Sequence, residues 1–186
     1  MDLRTERSHD FEAVLDIHRQ AFGDHGAVVA ELVAALRRDD PAALSLVADD
    51  SGEIFGHVMF TRSILDAPKQ LVPVQVLSPV AVSPQRQRQG VGSALIRHGL
   101  HLLDQRGVPL VFLEGDPGYY SRLGFGRGDS LGFRKPSLRI PDAAFQVTTL
   151  TAYEPSMTGT LVYAATFWDL DCVGLRDDEA HSAAVA

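Results

Sequence analysis

The stretch VAVSPQRQRQGVGSALI, residues 80–96, places Gly90 and Gly92 where an apolar, strand-like run gives way to a helix-like one. Arg86 and Arg88, with Gln85, Gln87 and Gln89, crowd the residues just before them. A helix that begins here offers unpaired N–H groups and the positive end of its dipole, and both suit an anion. Glycine carries no Cβ, so the backbone can approach a ligand closely. The two arginines add charge that can neutralise phosphates. The chemistry this pattern points to is a cradle for a pyrophosphate.

Two common phosphate motifs do not fit. A Walker A loop needs a lysine followed by serine or threonine after its second glycine, and Ser93 and Ala94 stand there instead. A dinucleotide fingerprint needs a third glycine, or alanine, where Leu95 stands.

The cradle needs a strand before it and a helix after it. LVPVQVLSPVAV is long, mostly apolar and rich in β-branched residues, as a central strand should be. Pro73 and Pro79 interrupt its pairing, because proline donates no ladder hydrogen bond. Pro79 is expected at a bulge or where the strand leaves its neighbour. Val91, Ala94, Leu95 and Leu102 form one helical stripe, widened by Ile96, Leu100 and Leu103, and Gly107 stops it. PLVFLEG then reads as a buried strand, giving a right-handed parallel strand–helix–strand unit.

Upstream, Phe11, Val14, Leu15 and Phe22 space a helix with Asp10 as its N-cap, and Val29, Leu32, Val33 and Leu36 space a second. ALSLVADD and IFGHVMFTRSIL form a hairpin about Ser51-Gly52. Downstream, DPGYYSRLGF is turn-rich with a short helix, and FQVTTLT and GTLVYAATF read as two more strands. The fold class is therefore mixed α/β: a mostly antiparallel sheet with one parallel unit. We expect one domain over residues 1–175 and a frayed tail over 176–186.

Composition narrows the partners. Of 186 residues, 45% are hydrophobic and 22% charged, as in an ordinary globular domain, and the formal net charge is −7. That balance argues against nucleic acid as a partner, which requires a basic surface. Cys172 is the single cysteine, so no internal disulfide can form, and a reducing, cytoplasmic setting is expected. The N-terminal segment has no apolar core of the signal-peptide kind, and no apolar run is long enough to span a membrane. The seven histidines are scattered, so no metal site is expected. His98 and His101 share a helix face that solvent explains better.

QRQGVG, Gln87–Gly92, resembles the Q/R-x-x-G-x-G/A signature of the GCN5-related N-acetyltransferase (GNAT) superfamily. LSPVAV resembles that family's fourth strand and GHVMF its third. YYSRLGF resembles the aromatic-tyrosine-x-x-x-Gly-Phe segment after its fifth strand. GDPGYYSRLGF and TGTLVYAATFW extend the likeness to a bacterial branch of small N-acetyltransferases over residues 3–170. The resemblance implies a GNAT-type sheet, splayed to admit coenzyme A between its fourth and fifth strands.

The resemblance also implies an acetyl-CoA-dependent N-acetyltransferase, in which an amine attacks the thioester directly within a ternary complex. Backbone groups of Gln87, Arg88, Gln89, Gly90, Val91, Gly92 and Ser93 would take the pyrophosphate, and those of Val80, Ala81 and Val82 the pantetheine arm. Tyr120 matches the position of the acid that meets the leaving thiolate. Tyr119 would pack or line the pocket. Glu114, ending the fifth strand, is the best candidate base, with Gln75 and Ser78 as water holders and His57 as an outside candidate. Asp116 reads as a turn residue before Pro117. An acidic chain mildly favours a cationic amine acceptor such as a polyamine, aminoglycoside, lysine or protein N-terminus. A homodimer is common in the superfamily, and GTLVYAATF would supply its edge. The alternative is a non-catalytic acyl-CoA-binding module on the same fold.

Overall fold

The structure is a computed structural model that describes residues 1–174. The tail expected at 176–186 lies outside the described residues. The elements run β1 (Asp2–Thr5), α1 (Phe11–Ala21), α2 (Gly26–Asp39), β2 (Leu44–Asp50), β3 (Glu53–Asp66), β4 (Leu71–Val82), α3 (Val91–Gln105) and β5 (Leu110–Glu114). They continue with α4 (Pro117–Tyr120), β6 (Gly126–Arg127), β7 (Phe133–Arg134), β8 (Phe145–Thr149), β9 (Gly159–Val162) and α5 (Ala165–Asp169).

One mixed sheet holds these strands in the order β1-β2-β3-β4-β5-β8-β6. The far end of β3 also pairs with β9, which pairs with β7. The pairs along the main path are antiparallel except β4 with β5. One face is covered by α1 and α2, where Val14, Leu32, Val33 and Leu36 pack on Met59, Val74, Val76 and Phe112. The other is covered by α3, whose Val91, Leu95, Ile96 and Leu103 pack on Leu46, Val58, Phe60 and Val111. Full burial of each such side chain is worth about 1.5–3 kcal/mol, so the faces clamp the sheet that the site is built on.

β4 is continuous through both prolines, but its pairing is not. Against β3 the register slips between Val58 and Phe60, opposite Ser78 and Pro79. Proline has no N–H to give there, and a bulge absorbs the extra residue. Against β5 the pairing is shorter still: only Gln75 with Val111 and Val76 with Phe112. β5 turns to β8 for its partners through Glu114, while β4 runs on to Val82 along β3 alone. The two strands therefore diverge after Val76 and leave a slot between them.

Three local expectations differ from the structure. β1 was hidden in a polar N-terminal segment, and only its pairing with β2 reveals it. Asp10 precedes α1 but makes no side-chain cap. Its carboxylate accepts instead from Arg4 Nη1 and Nη2 and from the Arg7 N–H. GTLVYAATF is a strand only to Val162; α5 follows. Tyr163 and Phe167, four apart, bring their rings to 5.1 Å, and the Thr166 hydroxyl donates to Asp39 at 2.8 Å. Burying those two aromatics and tying the turn to α2 outweighs the strand preference of the run.

Candidate functional site

α3 begins at Gly90, whose φ of +84° lies in the left-handed region that glycine enters freely. Its first internal bond is Ala94 N–H to Gly90 O, so the N–H groups of Val91, Gly92 and Ser93 have no partner within the helix. They open onto a cavity of about 620 Å³ in the slot between the diverging strands. Val80, Ala81, Val82, Gln87, Arg88, Gly90, Val91, Gly92 and Ser93 all line it. Gln89 does not; its side-chain amide donates to Gln85 O at 3.1 Å. The Gln87 amide donates to Val82 O at 3.1 Å and fastens the loop to the end of β4.

Sequence reading missed two cations here. Arg97 on α3 and Arg122 after α4 join Arg86 and Arg88 around the cavity. Four arginines line it in a chain whose net charge is −7, and the Arg86 guanidinium also reaches Asp50 at 3.5 Å. Arg97 sits two turns into α3, where one turn is 3.6 residues, on the Ser93 side of the helix; that spacing was the available signal. Among the described residues the polar lining is hydrogen-bonding and cationic, with no carboxylate. It suits a pyrophosphate and an extended amide-bearing arm, which are two of the parts of coenzyme A.

A second cavity, about 430 Å³, lies on the other side of the slot. Val80 and Phe22 line both cavities. Tyr120, Glu114 and Ser78 line the second one. Asp116 caps α4 by accepting from Gly118 N–H at 2.8 Å, which fixes the helix that carries both tyrosines. Gly115 makes room for the Tyr120 ring: a Cβ there would stand 2.4 Å from its Cε2. The Tyr119 and Tyr120 rings meet edge to face at 4.9 Å, and the Tyr119 hydroxyl lies 3.3 Å from Ser93 Oγ. Tyr119 thus belongs to the first cavity and Tyr120 to the second.

Both candidate groups are perturbed by burial. Desolvation pushes the Tyr120 phenol well above its ordinary 10, and Tyr119 and Asp116 add to the shift. Desolvation also raises the Glu114 carboxyl, against donation from Tyr163 and the Gly174 N–H, the latter at 3.0 Å, and against the Arg139 charge. Tyr163 is raised in turn by its own burial and by facing Glu114.

His57 is fully buried and lines neither cavity. It sits in a buried chain. Glu6, held by Arg37, can only accept, so the Ser45 hydroxyl donates to it at 2.7 Å. Ser45 then accepts from His57 Nε2 at 2.8 Å, and His57 Nδ1 accepts from His18 Nε2 at 2.8 Å. This order fixes both neutral tautomers and leaves His18 Nδ1 as a buried acceptor without a partner. Burial, then the Arg37 charge, holds His18 down to about 4. His18 stacks on Phe22, the wall common to both cavities. Gln75 is off the lining too, with its Oε1 unpartnered. Among the described residues no cluster of three or more histidine, cysteine or acidic side chains is placed to hold a metal.

A cationic cradle at a helix N-terminus, joined through a split in the sheet to a cavity bearing a phenol and a carboxyl, defines an acyl-CoA-dependent acyltransferase. The model of the acetyltransferase (GNAT) domain matches residues 2–128, and the chain belongs to that family. The uncharacterized N-acetyltransferase YjhQ of Escherichia coli K12 is 36% identical over 162 residues, covering 83% of this chain and 87% of that protein. The structure of the GNAT N-acetyltransferase YhbS from E. coli in complex with CoA aligns with a TM-score of 0.80 at 30% identity. It covers 89% of this chain and 91% of that one. A GNAT acetyltransferase from Brucella melitensis in complex with acetyl-CoA aligns at 0.71 and 31% identity, covering 89% and 97%.

Proposed function

We propose that this chain moves an acetyl group from acetyl-CoA to a primary amine by direct attack in a ternary complex. The observation that carries the reading is the divergence of β4 from β5 after Val76, which leaves Val80, with Phe22, between two chemically different cavities. The N–H groups of Val91, Gly92 and Ser93 bind the pyrophosphate, with the four arginines supplying charge. The open edge of β4 at Val80–Val82 pairs with the pantetheine arm. A backbone N–H near Val80 faces the charge that develops on the carbonyl oxygen.

An amine of lysine type, with a pKa of about 10.4, is neutral in only about one molecule in a few thousand at pH 7. Glu114 takes its proton. The raised pKa of this carboxyl brings it nearer the working pH, where a base is most effective. The C–N bond forms as the C–S bond breaks; Tyr120 gives its proton to the departing thiolate, and the proton that the acylated nitrogen sheds restores the phenol. Its elevated pKa keeps the proton in place at neutral pH. One domain over residues 1–175, acting in the cytoplasm, is the setting we infer. No described helix is long and apolar enough to cross a membrane. The test is Tyr120→Phe, assayed for turnover and for acetyl-CoA binding: turnover should collapse with binding intact. Unchanged turnover would remove Tyr120 from the mechanism.

A further inference from the structure

We propose that the acceptor is a primary monoamine with an apolar, aromatic body, and that the second cavity excludes polycations. The inference rests on the acetyltransferase reading above and names the substrate class of the same site. Among the described residues, Glu114 is the one charged side chain in the lining of that cavity. The remaining polar groups there, such as Ser78 and the hydroxyls of Tyr120 and Tyr163, are neutral at pH 7. The walls are apolar: Phe22, Leu32, Val76 and Phe167 among them, with Phe167 packed against Tyr163.

Such a cavity can compensate one ammonium. A second ammonium held against these walls would lose water and find no partner there. Two carboxylates near Cys172, Glu31 and Asp171, lie outside the lining, and Asp171 already accepts from Arg139 at 3.0 Å. The volume of about 430 Å³ falls in the range of small-molecule sites. The aromatic side chains offer faces and edges for a ring to stack against. The charge of the whole chain favours cations in general, but the cavity wall selects among them.

The experiment measures CoA release at saturating acetyl-CoA, with phenethylamine, spermidine and kanamycin as acceptors. Phenethylamine should exceed spermidine and kanamycin in kcat/KM by at least about tenfold, the equivalent of 1.4 kcal/mol. Val29→Asp, at a half-buried lining position in the first turn of α2, adds a second carboxylate and should narrow that ratio. Phenethylamine, and not spermidine, should also protect Cys172, the single thiol and a lining residue, from alkylation by N-ethylmaleimide. Spermidine or kanamycin matching phenethylamine overturns the proposed class and leaves the acetyltransferase reading standing. No transfer to any of the three, nor to a broad panel of amines, with acetyl-CoA still bound, overturns both.

Discussion

The two cavities are built from different materials. The first centres on one stretch, Arg86 to Ser93 without Gln89, next to the last residues of β4, where the start of α3 offers backbone N–H groups. The second is made of side chains from α2, β4, β5, α4, α5 and the turns that follow α1 and flank α5, gathered from residues 22 to 172. A backbone site asks of the sequence only that certain positions lack a Cβ and that a helix start there. A side-chain site asks for particular groups at particular distances, each delivered by a separate packing event. The two should therefore respond differently to substitution: the first to steric intrusion more than to loss of any one side chain, the second to single atoms.

The largest effect should come from the second cavity. Tyr120→Phe deletes one oxygen and should lower kcat by about 10²–10⁴, the usual contribution of a positioned acid or base, with acetyl-CoA affinity within twofold. Stopped-assay turnover beside calorimetric titration checks both halves. A parallel loss of binding would break the division between the cavities.

The wall they share should respond to pH. His18, held down to about 4 from 6.5, refuses a proton that the unfolded chain accepts. Stability is therefore full above about pH 6.5 and falls as pH drops toward 4. At 1.36 kcal/mol per unit this amounts to about 3 kcal/mol. Urea unfolding of the wild type and His18→Gln at pH 7 and pH 4.5 measures it, and the variant should show the smaller difference. An equal pH dependence in both would show that the stacked His18–Phe22 pair does not govern the wall.

Glu114→Gln should lower kcat/KM by about 10–100-fold below pH 8 and less at higher pH, where the free amine deprotonates itself. Because burial raises the native carboxyl, its ionised form costs stability at neutral pH, and the variant should unfold at an equal or higher temperature. A variant with full activity would move the base elsewhere in the cavity. The smallest effect should come from the cradle's own side chains. Arg97→Ala and Arg122→Ala should each weaken acetyl-CoA about three- to tenfold, less at high salt, as expected of partly exposed charges. A hundredfold loss from either would make the first cavity a side-chain site after all.

The same contrast decides what could be read in advance. Gly90 and Gly92 announced the cradle because backbone chemistry leaves a local trace, and α3 and β5 followed from the periodicity around them. Tyr120 was legible only through resemblance of YYSRLGF to a family segment. Phe22, Tyr163 and Phe167 were read as ordinary helix and strand residues, since nothing local says that α1 and α5 meet over one cavity. His57 was an outside candidate for the base, but it lines neither cavity, and its bonds to Ser45 and His18 arise from β2 lying beside β3 and α1 crossing them. β1 escaped because four largely polar residues carry no pattern until a neighbour pairs with them. The bulge at Pro79 was foreseeable, because a missing N–H is a property of the residue itself.

The most direct measurement is calorimetric titration of acetyl-CoA into the wild-type protein and into Gly92→Glu. A Cβ at Gly92 already stands 2.9 Å from the Tyr119 hydroxyl, and the carboxylate would enter the cradle as an anion. The account predicts one tight site in the wild type and none in the variant, with both equally folded by circular dichroism. Undiminished binding by a folded Gly92→Glu variant would contradict it and return the two glycines to a packing turn.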